Sequence, residues 1–224
     1  AAVEDIQSRN LAKMTKMALA GEVNTWWGND YAAHLRDAMR KGAAMVTTNP
    51  VLVNIARQED PEYWTPVRDR LKETHRDMSA EELAYAMTIE VVVSNARLLR
   101  PIWELKKRKM GYVSLQLNPK EAHDPEAMIS GARWVWERLE NALGGTPNCV
   151  FKVPGTSAGI EVASTLTAEG MGVNVTVNYS LPQQIAFAGA IQKNSTVPVS
   201  YRTQMDGRLD DPVGEELEQL GVDN

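Results

Sequence analysis

The chain has 224 residues and a formal net charge of −5 at pH 7; 43% of its residues are hydrophobic and 24% are charged. This composition supports a packed core, and the acidic balance argues against nucleic acid as a partner because phosphate contacts need a basic surface. The single cysteine excludes an internal disulfide and a thiolate zinc cage. With no bilayer-length apolar run and no export signal visible, we expect a cytoplasmic protein without a membrane partner.

Hydrophobic periodicity predicts helices and strands that alternate along the chain. Helices are expected at residues 3–20, 30–40, 125–143, 157–169, 181–193 and 212–220. A long helical region is expected from 51 to 108, interrupted near Pro61, near Pro66 and at 77–79, with a capping box at Ser79 and Glu82. Strands are expected at residues 22–27, 43–48, 112–117, 148–153, 173–179 and 197–204. We interpret residues 1–224 as one domain that begins with the helix at 3–20.

Alternation of strands with helices is typical of parallel β/α units. Several predicted strands end in polar residues, which favours a (β/α) barrel with its site at the carboxyl ends of the strands. No glycine-rich phosphate turn follows the first strand, as a doubly wound sheet would favour. Because six strands fall short of a closed barrel, three explanations stay open. The chain is part of a longer protein, residues are missing from the given sequence, or a partner completes the barrel.

Lys152 is the residue that points most directly to chemistry. It lies inside the apolar strand Cys149–Pro154, where removal from water favours the neutral amine. A neutral amine can attack a ketone and form a Schiff base, whose iminium accepts electrons when the adjacent carbon–carbon bond breaks. The structural alternative is a lysine on the solvated face of the strand or one that extends from its end to water.

Other polar segments have both a functional and a structural interpretation. Asn49 at the end of a strand is either a ligand for substrate or a turn residue before Pro50. The face formed by Asn174, Thr176, Asn178 and Ser180 belongs either to a central strand with polar partners or to an exposed edge. Arg208 suits a phosphate or sugar hydroxyls but also a surface salt bridge.

Three segments in this order carry a resemblance to a known family: TTNP at 47–50, KVPGTSAG at 152–159 and NVTVNYSLPQ at 174–183. With VSLQ at 113–116 and GRLDD at 207–211, they resemble the transaldolase family and its fructose-6-phosphate aldolase-like branch. The resemblance covers about residues 22 to 211. It implies a (β/α)8 TIM barrel, class I Schiff-base chemistry on ketoses or their phosphates without metal or cofactor, and a homo-oligomer.

The resemblance also implies roles for single residues. Lys152 matches the Schiff-base lysine, and Thr176 matches the threonine that helps hold a catalytic water. Gln116 stands where transaldolases carry a glutamate and the aldolase branch a glutamine, so it can position water but cannot take a proton as a carboxylate does. The matches expected to bind substrate are Asn49, Asn174, Ser180 and Arg208.

One match departs from the family pattern. Asn24 is aligned with the family's first-strand aspartate, the expected proton donor and acceptor in carbon–carbon cleavage, and an amide cannot take that role. Asp30 or water replaces it, activity is weak, or the alignment is shifted. We expect an enzyme that transfers or cleaves a dihydroxyacetone unit in the pentose phosphate pathway. The alternative is a catalytically impaired member that binds sugar phosphate or serves as a subunit of an assembly.

Overall fold

The computed structural model describes residues 8–205, 207 and 209–222. These residues form two compact units, which we describe separately. The first contains residues 8–117 and 130–151, and the second contains residues 118–129 and the described residues from 152 onward. The strand β3 and the helix α6, defined below, each contribute residues to both units.

The first unit is mainly helical and contains the first two strands. Its elements are α1 (Asn10–Ala20), a 3-10 turn (Ala32–His34), α2 (Leu35–Arg40), β1 (Met45–Thr47), α3 (Pro50–Glu59), α4 (Pro61–Thr74), α5 (Ala80–Leu105), β2 (Tyr112–Gln116), most of α6 (Pro125–Leu143) and the start of β3 (Cys149–Pro154).

The second unit alternates strands with helices. After a 3-10 turn (Pro119–Glu121) and the rest of β3, its elements are α7 (Ser157–Ala168), β4 (Gly172–Thr176), α8 (Leu181–Asn194), β5 (Tyr201–Arg202) and α9 (Asp210–Gln219).

The strands follow one another in the sheet in chain order, from β1 to β5. β1 pairs in parallel with β2, and Val46 lies opposite Val113. β4 pairs in parallel with β5, and Asn174 lies opposite Tyr201. A sheet order without reversal is the order of a β/α barrel, whereas a doubly wound sheet reverses at its switch point.

Side-chain caps and prolines set the starts of the helices between β1 and β2. Pro50 and Pro61 stand in the first turns of α3 and α4, where the missing N–H costs no hydrogen bond. The predicted capping box is confirmed: Ser79 accepts from the backbone N–H of Glu82, whose carboxylate accepts from the N–H of Ser79. The predicted interruption at Pro66 is wrong, because α4 continues through this proline.

Each unit has a core of apolar side chains without solvent exposure. In the first unit Val92, Leu99 and Val113 are fully buried, and so are Leu139 and Val150. In the second unit the fully buried side chains include Val153, Val162, Leu166, Val173 and Val175. Alternate residues of a strand point to opposite faces, so Val173 and Val175 hold β4 with Asn174 and Thr176 on its other face.

Two strand predictions need correction. Residues 22–27 form no strand; instead Asn29 makes an isolated parallel bridge with Val46. Of the strand predicted at 197–204, only β5 is formed. The helix predicted at 30–40 begins later, as the 3-10 turn followed by α2. The predicted start of the helix at 3–20 lies outside the described residues, and within them α1 begins at Asn10. The strand predicted at 173–179 ends earlier, at Thr176. The other helices and strands start and end close to the predicted positions.

None of the helices in the described ranges combines the length and the apolar character needed to cross a bilayer.

Candidate active site

In the first unit, β1 ends in two polar residues that are tied to the backbone. The buried hydroxyl of Thr48 donates to the carbonyl oxygen of Ser114 at 2.7 Å. The side-chain oxygen of Asn49 accepts from the backbone N–H of Leu52 at 2.9 Å and so caps α3. The cap uses the oxygen of this carboxamide, which leaves the amide nitrogen to donate to a ligand.

The segment beside β1 lies later in the chain than expected. The N–H of Ala44 donates to the carbonyl oxygen of Trp27 at 3.0 Å, and the N–H of Thr47 donates to that of Asn29 at 2.8 Å. Asn24 is exposed and lies in an irregular stretch, so its placement on the first strand is wrong. The polar residues at the end of the bridged segment are Asn29 and Asp30.

Asp30 is the carboxylate at this strand end. It is exposed, and its side chain accepts a hydrogen bond from the hydroxyl of Thr47, the last residue of β1. The side chain of Asn29 donates instead to the carbonyl oxygen of Tyr31. A hydroxyl donor holds the Asp30 carboxylate in place while leaving it further acceptor capacity.

Gln116 is the last residue of β2 and is partly buried. Its backbone carbonyl accepts from the hydroxyl of Tyr85 at 3.5 Å. Within the part of the chain that the structure describes, no hydrogen bond engages the side-chain amide of Gln116. An amide in this state can both donate to and accept from water.

Lys152 lies on β3 between two fully buried residues, Phe151 and Val153, and is itself partly buried. Cys149, three positions earlier, therefore points to the other face of the strand. Burial raises the pKa of the Cys149 thiol to about 12, so this thiol stays protonated at neutral pH. The prediction that Cys149 is a core residue is confirmed.

In the second unit, β4 presents two polar side chains that contact residues at and just after β5. The hydroxyl of Thr203 donates to the side-chain oxygen of Asn174 at 2.8 Å and so orients this buried carboxamide. The hydroxyl of Thr176 lies 3.5 Å from the sulfur of Met205, which also accepts from the N–H of Val177 at 3.1 Å. The structure therefore brings Asn174 and Thr176 together with Thr203 and Met205.

The chain bends sharply just after Thr176. Val177 has a φ of +55°, a left-handed conformation that is strained for a β-branched residue, and its side chain is 49% exposed. The bend turns Asn178 inward. Its side chain is fully buried, and neither amide atom has a hydrogen-bond partner among the described residues. Such a buried, unpaired carboxamide costs stability.

The glycine-rich segment after β3 forms a tight loop and a helix start. A Cβ atom on Gly155 would collide with the carbonyl oxygen of Val177, so this close approach requires glycine. Thr156 caps α7 through the N–H of Gly159 at 3.0 Å. Ser180 caps α8 in a capping box with Gln183, so its hydroxyl serves the helix start. The expected substrate contact of Ser180 stays a prediction that the proposal below does not use.

Arg208 lies outside the described residues. Thr203 and Met205 contact the polar side chains of β4, and Asn29 bridges to β1, although no sequence pattern predicts a role for Asn29. Asn29 lies five residues after Asn24. An alignment that moves the first strand by five residues toward the C-terminus would place Asn29 at the position given to Asn24.

A model of the transaldolase/fructose-6-phosphate aldolase family matches residues 32–222 of the chain. The chain belongs to this family. The predicted fold class is thereby confirmed: the protein is an α/β member of a TIM-barrel family, consistent with the parallel strands in chain order.

Relatives named transaldolase occur in several bacteria. The protein from Thiobacillus denitrificans is 34% identical over 143 residues, which are 63% of this chain and 37% of the relative. The protein from Acidothermus cellulolyticus is 29% identical over 85% of this chain and 51% of its own length. For the Mycobacterium leprae protein the identity is 26% over 96% of this chain and 59% of the relative. The chain thus spans 37% to 59% of the length of these three relatives.

Proposed function

We propose that the protein transfers or cleaves the dihydroxyacetone unit of a ketose or ketose phosphate through a Schiff base on Lys152. The observation that carries the proposal is the position of Lys152 between two fully buried residues of β3, inside the segment that matches the transaldolase/fructose-6-phosphate aldolase family. The neutral form of a lysine amine is the nucleophile that adds to a ketone.

In the proposed reaction the amine of Lys152 adds to the carbonyl carbon of the ketose, and the resulting carbinolamine loses water to give an iminium. A base removes the proton of the hydroxyl on the carbon two positions from the iminium carbon. The bond between that carbon and the one next to the iminium then breaks, and the hydroxyl-bearing part leaves as an aldehyde. The bonding electrons pass to the iminium, which becomes an enamine. The enamine then either attacks an acceptor aldehyde, which is group transfer, or takes a proton, which is simple cleavage. Both routes give an iminium, and water hydrolyses it to release the ketone product and regenerate the amine of Lys152.

The polar strand ends supply the supporting groups of this proposal. The amide nitrogen of Asn49 is left to donate because its oxygen caps α3, and the oxygen of Asn174 is fixed by Thr203. Both amides are suited to the donor hydroxyls of the ketose. Thr176 and Gln116 are suited to hold the water that relays protons, since neither side chain ionises near neutral pH.

Asp30 is the group we propose for proton transfer. Asn24 aligns with the family's proton-transfer position but is exposed in an irregular stretch, whereas Asp30 accepts from Thr47 at the end of β1. A carboxylate can take and return a proton and an amide cannot. This assignment replaces Asn24 by a residue with the required chemistry.

A second candidate function is a family member that binds sugar phosphate but turns over slowly. The observation that favours it is Asn29, an amide at the end of the segment that bridges to β1. In this alternative the family's first-strand carboxylate is absent, and Asp30 does not replace it.

The two functions differ in turnover. We expect the wild-type protein to release an aldehyde from fructose 6-phosphate, or to transfer its dihydroxyacetone unit to an added aldose phosphate, and Lys152→Met to reduce this rate to background. Binding of fructose 6-phosphate by the wild type without any turnover would contradict the enzyme and support the binder. The variant Arg40→Ala removes only an exposed ion pair with Asp37 and serves as the control.

The family resemblance leads to two further proposals, a place in the cytoplasmic pentose phosphate pathway and a homo-oligomeric assembly. Analytical ultracentrifugation of the purified protein tests the second, and a sedimentation coefficient that fits a monomer at all concentrations would contradict it.

A further inference from the structure

A basic cavity lies in the first unit, among the helices between β1 and β2. Its volume is about 540 Å³, and its wall is formed by α3, α4, the turn after α4 and the start of α5. This is within the range of 300 to 1,000 Å³ that small-molecule sites occupy. The cavity is independent of the proposed function, since no residue that the proposal uses lines it.

One side of the cavity is cationic. Five residues with basic side chains line it: Arg57, Arg68, Lys72, His75 and Arg76. Among its described lining residues none is acidic. Arg68 has an ion pair with Asp69 at 2.7 Å.

Arg57, Lys72 and Arg76 carry the unbalanced charge. The described part of the chain offers none of these three an ion pair or a side-chain hydrogen bond. Like charges around one opening repel one another, and a bound anion would relieve this repulsion.

Arg57 is the one partly buried residue of these three cations, whereas Lys72 and Arg76 are exposed. Its Nε is buried and has no hydrogen-bond partner among the described residues. A buried N–H of a charged group without an acceptor costs more than a neutral one. Because Nε itself is shielded from solvent, a phosphate in the cavity would bind Arg57 through its terminal nitrogens, which a guanidinium presents as parallel donors.

The other side of the cavity is apolar. Leu83, Ala84 and Met87 from α5 contribute to it together with Met78, and Met87 is only 1% exposed. Methionine side chains adapt to the shape of an apolar or aromatic group. The cavity therefore offers cations to an anionic group and an apolar wall to the organic part that carries it.

We propose that this cavity is a binding site for a small phosphorylated molecule, with the phosphate on Arg57, Lys72 and Arg76 and any organic part on the Met87 side. A polynucleotide would need an extended basic surface, whereas the protein has a net charge of −5 and these cations converge on one cavity. The shared chemistry is the phosphate, which inorganic pyrophosphate and a nucleoside diphosphate both supply.

The test uses the three histidines of the chain as site-specific probes. His75 lines the cavity, whereas His34 and His123 do not. Imidazole signals are assigned with His75→Gln and followed by NMR while pyrophosphate, or ADP in a second titration, is added at constant ionic strength. We expect a saturable shift of the His75 signals and unchanged His34 signals. Binding of ADP at least as tight as that of pyrophosphate identifies an organic ligand, and tighter pyrophosphate binding identifies an inorganic one.

Charge variants then locate the anion. We expect Arg57→Ala and Lys72→Ala each to weaken binding about tenfold, the loss expected when a charged hydrogen bond is removed. Arg70→Ala is the matched control, because Arg70 lies on the same helix but pairs with Glu90 outside the cavity. If Arg57→Ala fails to fold, Lys72→Ala still tests the proposal, because Lys72 is exposed and its removal leaves the fold intact. The proposal is overturned if neither probe shifts His75, or if Arg70→Ala weakens binding as much as Lys72→Ala.

Discussion

The end of β4 and the segment beside β1 both present polar side chains, but they are built differently. At β4, Asn174 and Thr176 belong to a regular strand whose alternating valines are fully buried, and both contact side chains just after β5. Beside β1, the chain is held by an isolated bridge at Asn29 and a few backbone hydrogen bonds. A strand with alternating buried residues fixes which side chains face the site, whereas a single bridge leaves that choice to tertiary contacts.

This difference identifies the residues with which each region can be tested. At β4 the question is how firmly the polar side chains are held and what the bend after Thr176 costs. Beside β1 the question is which residue supplies the proton-transfer group.

The largest effect is expected beside β1. If Asp30 transfers the proton, Asp30→Asn should lower kcat for fructose 6-phosphate cleavage at least about 100-fold, because a positioned acid–base group contributes that much. Asn24→Asp should change the rate less than about twofold, since an exposed residue in an irregular stretch does not reach the reaction. A rate increase in Asn24→Asp, or an unchanged rate in Asp30→Asn, would restore the original alignment.

The unpaired carboxamide of Asn178, which follows the bend after β4, should cost stability, and an apolar substitution should recover it. Asn178→Leu replaces a fully buried, unpaired carboxamide by an apolar side chain of similar volume and should raise the free energy of unfolding by about 1 to 3 kcal/mol. Urea denaturation followed by circular dichroism measures the change. The control is the exposed amide Asn54→Leu, which should have little effect. A loss of stability in Asn178→Leu would mean that the carboxamide has partners in solution.

Removal of a contact to β4 should act in the opposite direction. Thr203→Val keeps the shape of the side chain but deletes the hydroxyl that donates to Asn174. We expect unfolding to become easier by about 1 to 2 kcal/mol and KM for the ketose to rise, because the carboxamide loses a group that orients it. Thr203→Ser restores the hydroxyl and should recover KM. If Thr203→Val and the wild type share the same KM, Thr203 has no positioning role.

The smallest effect on stability is expected at the end of β1. Asn49→Ala removes the cap of α3 and should cost about 1 kcal/mol of unfolding free energy. Asn49→Asp keeps the capping oxygen and should retain that stability, but it lacks the amide N–H₂ group. If this group binds the donor hydroxyls, KM rises in both variants; a normal KM in Asn49→Asp would limit Asn49 to capping.

The regular parts of the fold could be predicted from the sequence because their signals are local. The valines of β4 alternate with polar residues, and Ser79 and Glu82 have the spacing of a capping box. Local rules also misled in places. Pro66 suggested a break, yet α4 continues through it. The proline removes one backbone donor, which weakens a helix without having to end it.

The features that could not be predicted depend on contacts between distant residues. Only three residues, from Trp27 to Asn29, run beside β1, too few for a periodic signal. The left-handed bend at Val177 coincides with contacts to Gly155 and Met205, which are more than 20 positions away in the chain. The basic cavity likewise combines Arg57, Lys72 and Arg76 from two helices and the turn that follows them, and Arg57 is 15 positions away from Lys72.

The Schiff base itself is tested most directly by reductive trapping. The protein is incubated with fructose 6-phosphate or dihydroxyacetone, reduced with borohydride and digested, and the peptides are measured by mass spectrometry. We predict one adduct of the reduced ketose, located on Lys152 and absent from Lys152→Met. An adduct on another lysine, or no adduct with either ketose although the protein binds them, would contradict the assignment of Lys152 as the nucleophile.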